Sequence, residues 1–431
     1  MRLGPLAAIT LIACLGASSL ACADAPASES SNMVRDSAGV RIVESLSTAR
    51  HPAPWTLGAE PVWSVGRLEG DPDYLLSRVV GAHQLPDGSI LIANGGTSQV
   101  RFYDPSGVLV ASRGREGQGP GEFAYLRALG TCREDGFVAF DLNWEMNAYR
   151  ADGTFVEKTV LRAPEGITPY NLACDPHGHV LLLGWGRNAA AGPVVGFHET
   201  RDRLVLVTRE GAVETDFGER LVSERIGTTG GSGPHPAGRA TQFALHDDRA
   251  FIGSGERFEV EVRALDGSLL ALLRGPDIDL SVTDSIRSLY LENRLASAPA
   301  ERHPVIRRQA EEMAWPEQIP AFVELRVDEE GVLWLRAYAS PGSPETWSLL
   351  HPEAGYLGDL RLSARHRLLE AGSDYLLLLT RDDLDVERVV KLTLDRHGAS
   401  YTPESPRRDG QLLQPPAAGG VEHSKRPLAG R

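Results

Sequence analysis

Six residues that could bind a ligand occupy the same place in a repeating strand pattern. Each lies at or just beyond the end of the second predicted strand of a repeat: Asn94, Asp141, Gly184, Ser254, Arg336 and Arg381. If the repeats form a ring, we expect these strand ends to lie nearest its axis on one face. Asn94 and Asp141 offer the oxygen ligands that Ca2+ prefers. Arg336 and Arg381 would repel a cation, and their guanidinium groups suit an anionic ligand instead.

The two oxygen-bearing residues also have a purely structural interpretation. Asn and Asp side chains commonly satisfy backbone groups in turns, and Asn94 and Asp141 both stand where a strand gives way to a turn. A Ca2+ site would therefore rest on these two residues alone. The sequence assigns no other metal and no cofactor.

Four further residues could contact a small molecule, a glycan or a peptide from loops: Asn143, Trp144, Trp185 and Arg187. Packing of the tryptophans between repeats is the alternative. The loop histidines His198, His235 and His303 match no zinc-binding spacing. No G-x-S-x-G element or other nucleophile–base pattern is present, so no catalytic residue is assigned.

The segment G-R-E-G-Q-G-P-G-E-F at residues 114–123 organises the strands around it. Glycine loses the most entropy in regular structure and proline removes a hydrogen-bond donor, so the segment predicts a compact loop. Phe123 ends this loop as an apolar peg. A weaker copy starts at Val65-Gly66-Arg67 and places Tyr74 where Phe123 stands. Each copy follows one short apolar strand and precedes another, which indicates a repeating chain.

Turns such as Pro86-Asp87-Gly88 and Asp135-Gly136 divide the chain into units of four short antiparallel strands. The units cover residues 79–112, 127–160, 170–217, 241–273, 322–362 and 367–394. The sixth unit has only three strands. We expect residues 61–66 to pair with residues 388–394 as the fourth, which closes a ring and removes open edges. Residues 40–44 predict one more strand without an assigned position.

The segment Ile92-Ala93-Asn94-Gly95-Gly96, followed by Gln99–Tyr103 and then by G-x-G-P-G-E-F, resembles an NHL repeat. The chain as a whole resembles the six-bladed, NHL-like propeller lipoproteins of bacteria, over residues 40–394 and most closely over 79–161. The resemblance implies an all-β fold, a six-bladed β-propeller of NHL or TolB type. Lactonases of the gluconolactonase type, which hold a metal through Glu, Asn and Asp, are similar in plan. Only Asn94 and Asp141 match their pattern.

Connections of very different length are predicted on the two faces of such a ring. Turns within strand pairs one–two and three–four are short, whereas the other face collects long connections at residues 185–202, 219–240, 276–320 and 339–345. Function concentrates on loops that a rigid scaffold presents. The longest connection, 276–320, lies between blades four and five and predicts two helices that cover the mouth of the ring. We expect ligand binding beneath it.

The N-terminus predicts export. Residues 1–23 resemble a signal peptide of lipoprotein type, with small residues ahead of Cys22 as the lipidated residue. Cleavage by ordinary signal peptidase, or use of Cys14, are the alternatives. Residues 24–39 form a flexible tether, 40–402 the propeller and 403–431 a disordered tail. Cys132 and Cys174 hold equivalent places in consecutive repeats, and a disulfide and two free thiols are equally compatible with that spacing.

The net charge of the chain limits the kinds of partner that it can bind. The 58 acidic and 44 basic residues give a formal net charge of −14, which disfavours nucleic acid. The sequence therefore predicts an exported, non-catalytic binding or scaffold propeller in the periplasm, anchored to the outer membrane only by its lipid. Its ligand would be a small anion, a glycan or a protein. The alternative is a metal-dependent lactonase or lyase acting in the axial funnel.

Overall fold

The strands of the computed structural model form six sheets, each built from consecutive strands paired in order, and N-terminal strands join two of them. The structure describes residues 32–185, 195–208, 210–228, 231–339 and 343–396. Four strands precede the first sheet: β1 (Asn32–Ser37), β2 (Val40–Ser45), β3 (Thr56–Leu57) and β4 (Trp63–Val65). Sheet 1 contains β5 (Val79–Gln84), β6 (Ile90–Asn94), β7 (Gln99–Tyr103) and β8 (Leu109–Arg113).

The next two sheets differ in strand length. Sheet 2 contains β9 (Ala128–Arg133), β10 (Gly136–Phe140), β11 (Glu145–Arg150) and β12 (Phe155–Val160). Sheet 3 contains β13 (Pro169–Cys174), β14 (Val180–Gly184), β15 (Gly196–Val207), β16 (Val213–Thr228) and β17 (Gly231–Pro234). The long strands β15 and β16 correct the sequence analysis, which assigned their outer halves to loops. The polar residues of these outer halves pair with one another beyond the rest of the sheet, and we call this extension the arm of sheet 3. The sequence lacks a regular alternation of apolar and polar residues there, so it did not predict strands.

The remaining sheets complete the ring, and two helices lie between sheets 4 and 5. Sheet 4 contains β18 (Gln242–His246), β19 (Arg249–Gly253), β20 (Glu259–Ala264) and β21 (Leu269–Arg274). The helices are α1 (Asp284–Ala296) and α2 (His303–Glu312). Sheet 5 contains β22 (Glu324–Val327), β23 (Leu333–Arg336), β24 (Thr346–His351) and β25 (Gly355–Arg361). Sheet 6 contains β26 (His366–Ala371), β27 (Tyr375–Arg381) and β28 (Glu387–Asp395).

The first strands of all six sheets surround one axial cavity of about 830 Å3, which is the arrangement of a β-propeller. This corrects the expectation that the second strands lie nearest the axis. Each sheet begins at the cavity with its first strand and adds later strands outward. Alternating apolar residues cannot distinguish the inner edge of such a sheet from its outer edge.

The N-terminal segment closes the ring. Trp63, Ser64 and Val65 of β4 pair with Lys391, Val390 and Val389 of β28, which confirms the predicted pairing of 61–66 with 388–394. The unplaced strand at residues 40–44 is β2, which joins the outer edge of sheet 4 in parallel to β21. β1 then pairs with β2 as the outermost strand.

Apolar side chains between neighbouring sheets form the core. Phe123 is fully buried between sheets 1 and 2 with Leu91, Phe137 and Tyr149, so the predicted peg is confirmed. Gly114 adopts φ +89°, and a Cβ there would stand 2.5 Å from the Phe123 ring, so glycine is required. Trp334 is also fully buried.

A disulfide joins Cys132 of β9 to Cys174 of β13, with Cα atoms 5.2 Å apart. Both residues belong to first strands, so the bond links sheets 2 and 3 beside the axial cavity. The sequence left open whether these two cysteines are bonded or free, and in the structure they are bonded.

Candidate functional site at the axial cavity

Chain direction gives the cavity two different mouths. Every first strand starts at the face with long connections and runs towards the face with short turns, as β26 does from His366 to Ala371. We call these ends the loop-rich mouth and the short-turn mouth. Arg127, Asp141, Trp144 and Arg367 line the cavity towards the loop-rich mouth.

Arg367 is an exposed residue of the cavity wall. Its Nη2 donates a hydrogen bond to the Val79 carbonyl at 2.8 Å, and it makes no ion pair with any described residue. Desolvation by the cavity wall and the charges of Arg326 and Arg381 lower the pKa of its guanidinium, against the opposing charges of Glu387 and Glu324. A bound anion would relieve both effects, because it would neutralise and hydrogen-bond the same group.

Arg326 and Arg336 share one carboxylate. Glu324 accepts from Arg336 Nε at 2.8 Å and from Arg326 Nε at 2.7 Å. Burial opposes ionisation, but the two guanidinium groups prevail and hold the pKa of Glu324 below its ordinary value. Arg326 also lines the cavity and donates to the Leu369 carbonyl of sheet 6. Two cations facing one anion leave a net positive charge beside the cavity, where Arg326 is the member that lines it.

Arg127 and Trp144 form the opposite side of the loop-rich mouth. The Arg127 guanidinium lies 4.9 Å from the centroid of the Trp144 ring, a cation–π contact. Trp144 has φ +61°, an uncommon backbone conformation for a residue with a side chain. Asp141, the N-cap of the 3-10 turn Leu142–Trp144, fixes the start of that turn. The local structure therefore holds a cation and an aromatic face at the cavity.

The two predicted oxygen ligands make internal hydrogen bonds. Asp141 accepts the backbone N–H groups of Ala124, Tyr125 and Leu142 at 2.6–2.7 Å. Asn94 is fully buried, accepts from the Ser77 N–H at 2.8 Å and donates to Thr97 Oγ1 at 2.9 Å. These hydrogen bonds hold the loops that precede sheets 1 and 2, so the donors and acceptors of both side chains are already used. Asp141 lines the cavity, whereas Asn94 does not.

The other predicted positions that the structure describes lie away from the cavity lining. Trp185 is 40% exposed, with its ring 4.8 Å from that of Tyr170 and 5.4 Å from the guanidinium of Arg225. Arg336 and Arg381 are held by Glu324 and Glu387. At Gly184 a Cβ would contact Asp202, and Ser254 Oγ accepts the Glu256 N–H. Arg187, Cys22 and the side chain of Asn143 lie outside the described residues.

The predicted helical connection contacts the arm of sheet 3. Trp315 packs edge to face against Tyr290 of α1 at 5.5 Å and against His235 at 5.3 Å. His235 in turn contacts Phe197 of β15. Burial lowers the pKa of His235, so its ring is neutral in this aromatic stack. Among the described residues, none between 276 and 320 lines the axial cavity.

No cluster of three or more His, Cys, Asp or Glu residues able to hold a metal occurs in the described part of the chain. The three loop histidines have separate partners: His198 contacts the Gly196 carbonyl, His235 accepts from Ala237, and His303 contacts the Leu295 carbonyl. None of the described helices is long and apolar enough to cross a membrane.

Sequence reasoning missed the cavity-lining arginines Arg127, Arg326 and Arg367. Arg127 and Arg367 stand at the start of first strands, and Arg326 stands within one. The signal that could have found them is the predicted closure of the ring. Once residues 61–66 are assigned as the outermost strand of sheet 6, the first strand of each unit must be innermost.

Comparisons with known proteins identify structural likeness only. No protein-family model and no curated protein sequence matches this chain. A protein of Bacteroides fragilis assigned as exported is 12% identical and has a TM-score of 0.46, with 81% of this chain and 97% of that chain covered. Virginiamycin B lyase from Staphylococcus aureus is 10% identical, with a TM-score of 0.39 and coverage of 79% and 99%.

A third similar structure is the PQQ-bound aldose sugar dehydrogenase of Streptomyces coelicolor. It is 13% identical, with a TM-score of 0.41, and the match covers 80% of this chain and all of that chain. At such TM-scores none of these likenesses bears on function.

Proposed function

We propose that this protein is an exported, non-catalytic, six-bladed propeller that binds a small anionic ligand at the loop-rich mouth of its axial cavity. Residues 1–23 direct export, and Cys22 carries a lipid that anchors the protein in the periplasm. The observation that carries the binding role is Arg367, a cation exposed to the cavity without an ion-pair partner among the described residues.

The surroundings of Arg367 support this role. Arg326 and Arg127 also line the cavity, and Arg326 shares its carboxylate partner with Arg336. Trp144 adds an aromatic face beside Arg127. The cavity volume of about 830 Å3 lies within the range of small-molecule sites. A carboxylate, phosphate or acidic sugar would gain charge-assisted hydrogen bonds worth about 1.5–3 kcal/mol each.

Calorimetric titration with succinate, inorganic phosphate and glucuronate tests the proposal. We expect at least one of the three to bind the wild-type protein, and Arg367→Ala to weaken that binding by about tenfold or more, which corresponds to 1.4 kcal/mol. The matched control is Arg365→Ala, two residues away, where an exposed arginine pairs with Asp383 outside the cavity.

Two outcomes would contradict the proposal: none of the three anions binds, or Arg367→Ala binds as tightly as Arg365→Ala. Turnover of a lactone by the metal-loaded protein would instead support the alternative of a metal-dependent lactonase or lyase.

A further inference from the structure

The short-turn mouth of the axial cavity carries the opposite charge to the loop-rich mouth. Glu329, Glu370 and His83 line the cavity there. Glu370 Oε1 lies 2.5 Å from His83 Nδ1, and its Oε2 accepts the Gln84 N–H at 2.8 Å. Glu329 is exposed and makes no ion pair with any residue that the structure describes. Two carboxylates thus face one imidazole.

The charge state of these groups fits their positions. Burial and the neighbouring Glu370 carboxylate raise the pKa of Glu329. Burial opposes protonation of His83, but its hydrogen bond to Glu370 prevails and raises the pKa of the imidazole. Both raised pKa values are expected at an end of the cavity where negative charge is in excess. A cationic group placed beside Glu329 would be stabilised there.

The distance between the two ends follows from one strand. A β-bulge separates Arg367 from Glu370 on β26, and their partners on β27, Leu379 and Leu377, are two residues apart, so they lie roughly 7 Å apart along the strand. Glu329 follows the neighbouring first strand β22, at the same end of the cavity as Glu370. An extended peptide spans about 3.3–3.6 Å per residue, so two residues cover this distance and a third reaches Glu329 in the turn beyond the end of β22.

We propose that the ligand is dipolar, a short free peptide of about three residues, whose carboxylate binds at Arg367 and whose ammonium group binds at Glu329. This inference rests on the proposed function, because it uses the same anion site at the loop-rich mouth. It adds a second recognition point at the far end of the cavity and a length that the ligand must have.

Trialanine and N-acetyl-trialanine are the probes, compared by calorimetric titration against the full mature protein. Acetylation removes the ammonium charge and leaves the carboxylate. We expect trialanine to bind the wild type about tenfold more tightly than its acetylated form, the scale of one close charge pair. Glu329→Gln should remove this difference by weakening trialanine alone. Glu353→Gln, at an exposed turn residue outside the cavity, should leave the difference intact.

The results separate this inference from the proposed function. If trialanine fails to bind, or binds no more tightly than N-acetyl-trialanine, the dipolar ligand is wrong. If succinate, phosphate or glucuronate still binds in an Arg367-dependent manner, the anion site itself stands. If Glu329→Gln weakens both peptides equally, the carboxylate supports the cavity wall and does not recognise an ammonium group.

Discussion

Glu387 accepts the backbone N–H of Val79 through Oε2 at 2.7 Å, although 308 positions separate the two residues. Val79 begins the first strand of sheet 1 and Glu387 begins β28, so the bond joins the last sheet to the first at the loop-rich face. Arg381 holds the other carboxylate oxygen, with Nη2 2.6 Å from Oε1. Glu387 is only 5% exposed, and this contact therefore compensates a buried charge.

Arg381→Ala should therefore destabilise the fold. Removing one partner of a buried ion pair leaves an uncompensated charge, but Arg381 is itself about half exposed, so we expect a loss of about 1–2 kcal/mol. The free energy of unfolding in urea measures this loss. Arg365→Ala, which removes an exposed pair with Asp383, should change it little. Equal stabilities for the two variants would contradict the structural role of Arg381.

The sequence predicted more of the fold than of the site. Turns such as Asp135-Gly136 and the short apolar strands between them define repeats, and a missing strand in the sixth repeat indicates closure by residues 61–66. These are local patterns that tertiary structure preserves. Asn94 and Asp141 show the limit, because the same side-chain oxygens suit a metal or a turn. Only the contacts reveal that both satisfy backbone groups.

Closure of the ring would have assigned Arg367 to an innermost strand, but the sequence could not show that it has no ion-pair partner among the described residues. An arginine at the end of a strand is ordinary, and Arg336 and Arg381 pair with nearby acids. The absence of such a partner at Arg367 among the described residues depends on how sheets 5, 6 and 1 meet. That information lies in contacts between distant segments of the chain.

The disulfide between Cys132 and Cys174 should contribute substantially to stability. A bond that closes a loop with a sequence separation of 42 restricts the unfolded chain, and replacing both cysteines by alanine should cost about 3–4 kcal/mol. Chemical denaturation of a chain that starts at residue 24 measures the loss, since that chain contains only these two cysteines. Thiol titration of the denatured, unreduced protein is the control, and two reactive thiols would show that the bond is absent.

Glu324 should make stability depend on pH in the acid range. Arg326 and Arg336 hold the pKa of its carboxyl below the ordinary value of 4.5, so its contribution is fully present above that pH. The contribution is lost as pH falls through the lowered, folded-state pKa. The free energy of unfolding of wild type should therefore exceed that of Glu324→Gln by about 1.5–3 kcal/mol at pH 7, the scale of a hydrogen bond to a charged group. This difference should shrink steadily below pH 4.5.

Urea denaturation between pH 3 and pH 7 measures the free energy of unfolding of both proteins. Glu353→Gln is the control, and its free energy of unfolding should change with pH as that of wild type does. A difference between wild type and Glu324→Gln that stays constant across this range would show that the two arginines do not stabilise the ionised carboxylate.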